Sequence, residues 1–489
     1  MAVDPRTPVL VGAGTATQRL DDPAAAFEAC ALMAAACDAA GLDAGAPGLL
    51  TRADLVVVPR GTWAYADAGR LLADAVGAPG ARTVVGEFGI LQTSLIEHAV
   101  TAIESGASDV ALVVGGEAKW RDLRTTITGV AGPTTSQSDA TPDEILAPTG
   151  ALISAPEIEA RLLSAVSQYA LIEHARRRAD GQTPAAHAAE VAGLWERFNR
   201  VAQANPAAWN RQRMSAAEIA TPGPRNRPLA TPYLKWHNSQ WNVDQAGCLL
   251  LCSAEAARSA GVTPDRWVFP LAMAHSDHMV AVSARPALHR SPGFRLAGRA
   301  ALQAAGIAID DVAHVDLYSC FPIAVRTQAL ELGLAADRQL TVTGGMTFAG
   351  GPLNNYVLQS TAAMTALLRT DARAVGMVTA ISAMITKQGV TLWSCQPPAG
   401  GTHAIDVSAA AAAESPPVPV GPAGPGPAPV ESYTVLHDAG GVPERAVVIV
   451  RAADGTRSIA VSTTAAATMT EGEWGGRTVE LDGAGGFSA

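Results

Sequence analysis

Charge, aromatic rings and lysine are all scarce in this chain. Of its 489 residues, 16% are charged and 5% aromatic, and lysine occurs only as Lys119, Lys235 and Lys387. So little charge fits an α/β protein whose sheets are covered on both faces. The formal net charge is −10, which excludes nucleic acid as a partner on electrostatic grounds. No run of about 18 apolar residues occurs, so no membrane-spanning helix is expected. The opening MAVDPRTPVLVGAGT has no charged segment followed by a long apolar run, so it does not read as a signal peptide. Cys30, Cys37, Cys248, Cys252, Cys320 and Cys395 form no CxxC pair. They read as reduced thiols of a cytoplasmic protein. His275 and His278 form an HxxH-like pair without a third ligand, so no metal site is expected.

The length predicts roughly three domains of about 150 residues each. PVLVGA at 8–13 reads as a buried strand, followed by a helix at 23–40 that Asp21 or Asp22 can cap. Strands at 54–58, 83–86 and 109–114 alternate with helices at 66–76 and 90–105. That alternation implies parallel pairing through right-handed crossovers. The order recurs in the second half, with a helix at 294–304, a strand at 313–318, a helix at 355–369 and a strand at 374–381. The recurrence reads as a degenerate internal duplication. A helix-forming insertion at 118–238 separates the halves, and 407–430 reads as a Pro/Gly/Ala linker that packs no core. The alternating segments ESYTVLHD, RAVVIVRA, TRSIAVS and GRTVELDG suggest a small β domain beyond it, of OB-like barrel form.

Four blocks carry a family resemblance. GILQTSLIEHAVTAIESGASDVALVVGGE at 89–117 resembles the thiolase block that opens with the CxS nucleophile motif, with Gly89 in place of the cysteine and Leu91 in place of the serine. NSQWNVDQAGCLLLCSAEAA at 238–257 resembles the family's Asn-Ala-Ser strand and the helix after it. VDLYSCF at 315–321 resembles the NEAF motif, and more closely the HDCF variant of sterol-carrier-protein-type thiolases. GGMTFAGGPLNNY at 344–356 resembles the glycine-rich turn carrying GHP, with Gly351 in place of the histidine. In TAISAM at 379–384, Ile381 and Ala383 replace the Cys and Gly of a CxG motif.

The chain thus resembles the thiolase superfamily over about residues 8–400, and with its extension the type one thiolase-like proteins. The resemblance implies two duplicated βαβαβαββ halves in a five-layered αβαβα fold. It divides the chain into a first half at 1–117 and 239–268, a loop domain at 118–238 and a second half at 269–406. A linker at 407–429 and an OB-like β domain at 430–489 follow.

In that family a cysteine at a helix start forms an acyl-enzyme, and the macrodipole lowers its pKa from about 8.5. Gly89 has no side chain for this step, and Thr93 and Ser94, a turn onward, are hydroxyls without an evident base. Gly351 retains only a backbone N–H of the oxyanion hole. Cys320 aligns with the acid/base cysteine of HDCF, and equally fits a small apolar residue closing a strand. Tyr318 is either a core tyrosine or a proton donor or acceptor in the pocket. Asn354 and Asn355 either cap the next helix or offer amides to a thioester. Lys235, Trp236 and His237 precede the block beginning Asn238-Ser239, where the family's loop domain meets the pantetheine, and Arg211, Arg213, Arg225 and Arg227 either contact CoA phosphates or form a solvated face.

Three functions follow from the resemblance. The first is an acetyl-CoA acetyltransferase-like, acyl-CoA-binding protein that lacks standard thiolase activity, takes CoA or acyl-CoA as ligand and needs no further cofactor. The second is a retro-aldolase acting on β-hydroxyacyl-CoA, with Tyr318 as base and the Gly350–Gly351 backbone as enolate donor. The third is a scaffold that binds no CoA. A monomer and a homodimer are both compatible with the sequence.

Overall fold

Uncharged runs of valine, leucine and small residues form the strands of two mixed sheets in a computed structural model, which describes residues 3–489 apart from 138, 336 and 453. The strands up to the middle of the chain are β1 (Pro8–Gln18), β2 (Leu55–Pro59), β3 (Arg82–Gly86), β4 (Val110–Ala118), β5 (Glu144–Leu146), β6 (Pro228–Ala230), β7 (Tyr233–Leu234) and β8 (Asp244–Ser253). The first sheet has the order β1-β8-β4-β2-β3-β5. Then come β9 (Phe269–Ser276), β10 (Val312–Asp316), β11 (Val375–Ser382), β12 (Lys387–Ser394) and β13 (His403–Asp406), in the order β10-β11-β12-β9-β13.

The duplication is visible in sense as well as order. β8 runs antiparallel to both β1 and β4, and β12 runs antiparallel to both β9 and β11. β2 is parallel to β4, as β10 is to β11. The strands that alternate with helices thus pair in parallel as expected, β2 with β3 and β4 and β10 with β11, while β8 and β12 add antiparallel pairings. Only residues 383–386 connect β11 to β12, too few for a crossover, so the strand must turn back on itself.

The copy is incomplete. Among the described residues between β10 and helix Tyr356–Thr370, none forms the strand equivalent to β3. There the N–H groups of Val342 and Thr343 donate to the buried Asp316 carboxylate, at 2.8 and 3.1 Å. Donors fixed on a side chain in this way are withdrawn from a sheet ladder.

Helices Gln92–Glu104 and Tyr356–Thr370 form the central layer. The first packs on β4, β2 and β12, the second on β8, β11 and β1. Leu95, Ile96, Val100 and Ile103 are almost wholly buried, each contributing about 1.5–3 kcal/mol. Helices Ala29–Asp43 and Pro292–Ala305 cover the outer faces. The first starts later than expected, at Ala29, because Asp22 is used in a local turn with Ala24. Its N-cap, Glu28, caps nothing with its side chain, which accepts from Tyr65 and Thr135 instead. No helix among the described residues is long and apolar enough to cross a membrane.

The segment expected to be a linker is partly ordered. It contains helix Ser408–Glu414, with Ala411 buried, and β14 (Gly426–His437) begins inside it. β14 joins β15 (Pro443–Arg451), β16 (Arg457–Ser462), β17 (Thr478–Leu481) and β18 (Phe487–Ser488) in the order β16-β15-β14-β17-β18. A bridge between Val461 and Gly486 brings the ends of that path together around Val430, Val448, Met469 and Trp474.

This small domain is docked firmly. The His174 ring stacks on Tyr433 at 4.0 Å, and Leu436 of β14 pairs with Ala230 of β6. The Arg177 guanidinium pairs with Glu473 at 2.6 Å. Arg457, with a side chain 2% exposed, pairs with Glu431 and donates to the carbonyls of Ser283 and Arg285.

Candidate functional site

Residues 317–321 leave β10 and are held from all sides. The Tyr318 N–H donates to Thr379 Oγ1 (2.8 Å), and its carbonyl accepts from Gln328 Nε2 (2.8 Å). Ser319 Oγ accepts from the Met346 N–H (3.0 Å), so the Asp position of HDCF serves the neighbouring turn. The Cys320 carbonyl accepts from the Ser239 N–H (3.0 Å), which brings the Asn-Ser block against the HDCF-like block. Asp316 anchors the other end, accepting from Thr341, Val342, Thr343 and Tyr356.

The Tyr318 and Cys320 side chains are buried, and Tyr318 meets Tyr356 edge-on at 5.8 Å. A third group joins them that sequence motifs did not reveal. Tyr169, from helix Ala165–Ala179, stacks on Phe321 at 4.3 Å and borders the Cys320 thiol. Its hydroxyl donates to the Ala383 carbonyl (3.1 Å). No periodicity marks Tyr169, because its helix is buried on nearly every side.

Ala383 and Ile385, in the CxG-like segment, adopt φ of +56° and +57°, conformations uncommon outside glycine. The surroundings hold them there. Tyr169 takes the carbonyl of 383, Arg285 that of 384, and Gln388 those of 385 and 386. Ile381 is buried in β11 beside this segment.

Burial pushes the Cys320 thiol up to about 12 and raises Tyr318 and Tyr169 far above the usual phenol range. All three are protonated at neutral pH and act as donors. Removing Tyr318 from water disfavours its phenolate, which weighs against a role as base.

Both glycines of the degenerate motifs fit their places and little else would. Gly89 has φ +101°, and a Cβ there would stand 2.9 Å from Pro148 Cγ. A Cβ on Gly351 would stand 1.9 Å from Ser239 Oγ, so no imidazole fits there without moving Ser239. The Gly351 N–H donates to the Gln240 carbonyl at 3.0 Å, so in this arrangement it is already engaged. Gly350 has φ +106° and lies against Gln245 Oε1.

The starts of the two central helices meet. Gln92 Nε2 donates to Asn354 Oδ1 (2.9 Å). Asn354 therefore ties the halves together, and Asn355 is the N-cap residue but makes no side-chain cap. Gln92 Oε1, Thr93 Oγ1, Ser94 Oγ and both polar atoms of Asn355 are buried with no partner among the described residues. Of these, the Thr93 and Ser94 hydroxyls and Asn355 Nδ2 can donate to a polar ligand atom, whereas Gln92 Oε1 and Asn355 Oδ1 only accept.

On the loop-domain side, Arg225 and Trp236 line a surface cavity of about 350 Å³ with Met214 and Asn226. Asn226 builds this corner, accepting from the Trp236 N–H (2.9 Å) and donating to Ile219 and Thr221. Lys235 is exposed, its ammonium 5.8 Å from the Trp236 ring centre. Arg211 and Arg227 bond to nearby carbonyls, and Arg213 is exposed. Asn238 is buried, donating to the Leu234 carbonyl and leaving Oδ1 unpartnered. His237 Nδ1 accepts from the Leu234 N–H, and burial pushes this imidazole down to about 4, so it is neutral with its proton on Nε2. His275 and His278 are spent on Glu97 and the Ser415 carbonyl.

Residues 409–485 match the family model of the thiolase-like protein type 1 additional C-terminal domain. Among solved structures, the chain is similar to a monomeric SCP2-thiolase like protein type 1 from Mycobacterium smegmatis, 28% identical with a TM-score of 0.83, covering 99% of this chain and 98% of that one. An Ltp2-ChsH2(DUF35) aldolase is 16% identical with a TM-score of 0.60, over 80% of this chain and 99% of that one. The dimeric peroxisomal thiolase of Saccharomyces cerevisiae is 13% identical with a TM-score of 0.55, over 80% of this chain and 98% of that one. The last two share the fold alone. No curated protein matches the chain.

Proposed function

We propose that this chain, a thiolase-superfamily protein with the additional C-terminal domain of the type 1 thiolase-like proteins, binds acyl-CoA thioesters and forms no acyl-enzyme. The observation that carries the reading is that the Gln92 and Tyr356 helix starts are joined by the Gln92–Asn354 bond and carry five buried polar atoms without partners among the described residues. A thioester oxygen there would gain donors without displacing any existing bond. Arg225 and Lys235 would hold the CoA phosphates at the cavity mouth, with Trp236 against the adenine or pantetheine.

Catalysis by the standard thiolase route does not suit these residues. Gly89 offers no nucleophile, and Tyr318, Cys320 and Tyr169 are protonated donors. Donors stabilise a developing enolate but do not remove a proton. The retro-aldolase alternative needs a base at the β-hydroxyl, and the rise in Tyr318 weighs against it. We read the C-terminal barrel as OB-like and as part of the same acyl-CoA-binding protein, which we place in the cytoplasm and in lipid metabolism.

Calorimetry with CoA, acetyl-CoA and longer acyl-CoAs tests the reading. Binding is expected, weakened severalfold by Arg225→Ala or Lys235→Ala, each worth about 0.5–1 kcal/mol. Absence of heat at millimolar ligand would leave the scaffold reading standing. Acetoacetyl-CoA thiolysis at ordinary thiolase rates would overturn the placement of Gly89.

A further inference from the structure

Arg285 is a buried cation without an anionic partner. It is 6% exposed, and among the described residues it takes part in no ion pair. Its Nη2 donates to the Met384 carbonyl and to Thr386 Oγ1 (3.1 Å), both neutral, and its other nitrogens have no partner among the described residues. The carboxylate that acts on it electrostatically, Glu157, is committed to the N–H groups of Ser283 (2.8 Å) and Ser154 (2.9 Å). Burial pushes the guanidinium down to about 10. A buried charge left uncompensated is costly, so proteins pair such groups.

Beside Arg285 lies a small cavity that Ser291, Gly293, Thr386, Gln388 and His278 also line. Ser291 is the N-cap of helix Pro292–Ala305, which has 14 residues, yet its hydroxyl makes no cap bond. That hydroxyl is buried with no partner, in a residue 3% exposed. Pro292 has no N–H, and those of Ser291 and Phe294 are bonded to Glu331 and the Ser291 carbonyl, so the helix start adds the Gly293 N–H and the positive end of its dipole. The other carboxylate nearby, Glu331, is saturated by Arg290, Arg295 and the Ser291 N–H. Guanidinium, free hydroxyl and helix start thus converge on one space with no negative charge of its own.

We propose that this space holds one small monovalent anion, of the size of chloride or formate. The cavity measures about 30 Å³, where a water needs roughly 10–15 Å³ on the same measure, so a phosphate ester does not fit. The anion completes Arg285, and Arg285 in turn holds the carbonyl between Ala383 and Ile385. It therefore braces the strained segment that Tyr169 joins to Cys320. The proposal does not depend on the acyl-CoA reading.

Bromide is the probe. Crystals of the full chain soaked in bromide should show an anomalous peak between Arg285 and Ser291. In solution the melting temperature should rise a few degrees as bromide goes to about 100-fold above half-saturation, and not in gluconate of equal ionic strength. Ser291→Ala and Arg285→Met should each flatten that dependence. Ser291→Ala keeps the test valid if the arginine variant does not fold. Equal melting in bromide and gluconate would overturn the proposal. So would a crystal without the peak, or one whose peak has no counterpart in solution, an adventitious ion only.

Discussion

Gln92 Nε2 and Asn354 Oδ1 are 2.9 Å apart, one at the start of each central helix, so this hydrogen bond ties the first half of the chain to the second. Gln92 is 2% exposed, and its Oε1 has no partner. A double-mutant cycle with Gln92→Leu and Asn354→Leu should give a coupling of about 0.5–1.5 kcal/mol in denaturant unfolding. Strictly additive effects would mean that the bond contributes nothing.

The Cys320 thiol should be chemically quiet. At about 12 its thiolate is rare near pH 8, and alkylation in the folded protein should run at least about 10³-fold slower than for a free thiol. The linkage has a sign. An acid whose folded value is raised contributes stability that is complete below the unfolded value, near 8.5, and lost as pH climbs toward 12. Cys320→Ala should flatten the alkaline limb of the stability profile, as measured by urea unfolding.

His237 acts at the opposite end. It is neutral in the folded chain down to about 4, whereas the unfolded imidazole titrates near 6.5. Its contribution is complete above about 6.5 and declines as pH falls through the folded value, by about 3 kcal/mol in all. His237→Gln should make unfolding less sensitive to pH between 6 and 4. An unchanged acid profile would contradict the neutral, Nε2-protonated form.

β5 closes an edge that β3 would otherwise leave open, pairing Val84 with Glu144, Val85 with Ile145 and Gly86 with Leu146. An uncovered edge is a template for another chain. Sedimentation should show a monomer. Replacing residues 144–146 with Gly-Ser-Gly should shift the distribution toward dimers or larger species. A wild-type dimer would show that pairing uses another surface.

Arg457→Met should be severe. The guanidinium is 2% exposed, and removing it strands the carbonyls of Ser283 and Arg285 and leaves Glu431 with Arg451 as its one cation among the described residues. Breaking such a pair costs about 3–5 kcal/mol. The loss should appear as a lowered melting temperature, and an unchanged one would mean that water replaces the arginine.

Much of the fold was legible in the chain. Buried strands such as Val110–Val114 and the terminal segments around Val447 and Val461 declare themselves by apolar runs and alternation. The antiparallel strands β8 and β12 did not, because an apolar run looks the same whichever way it pairs. Within the site, the motif blocks located Tyr318, Cys320 and the two glycines, yet not their states. Tyr318 as a donor depends on burial, and the Gly351 N–H on the Gln240 carbonyl. Tyr169 and Arg285 were invisible for another reason. Each lies far along the chain from the segment it holds, 214 residues in one case and 99 in the other, and carries no local signature.

The docking of the small barrel draws on distant stretches of the chain at once. Arg457 sits on the barrel, while its acceptors Ser283 and Arg285 lie in the second half and the stacking His174 lies in the insertion. A substitution in any one of these stretches would therefore be felt at the same interface, as a barrel less firmly held, even where the altered residue lies hundreds of positions from the barrel in the chain.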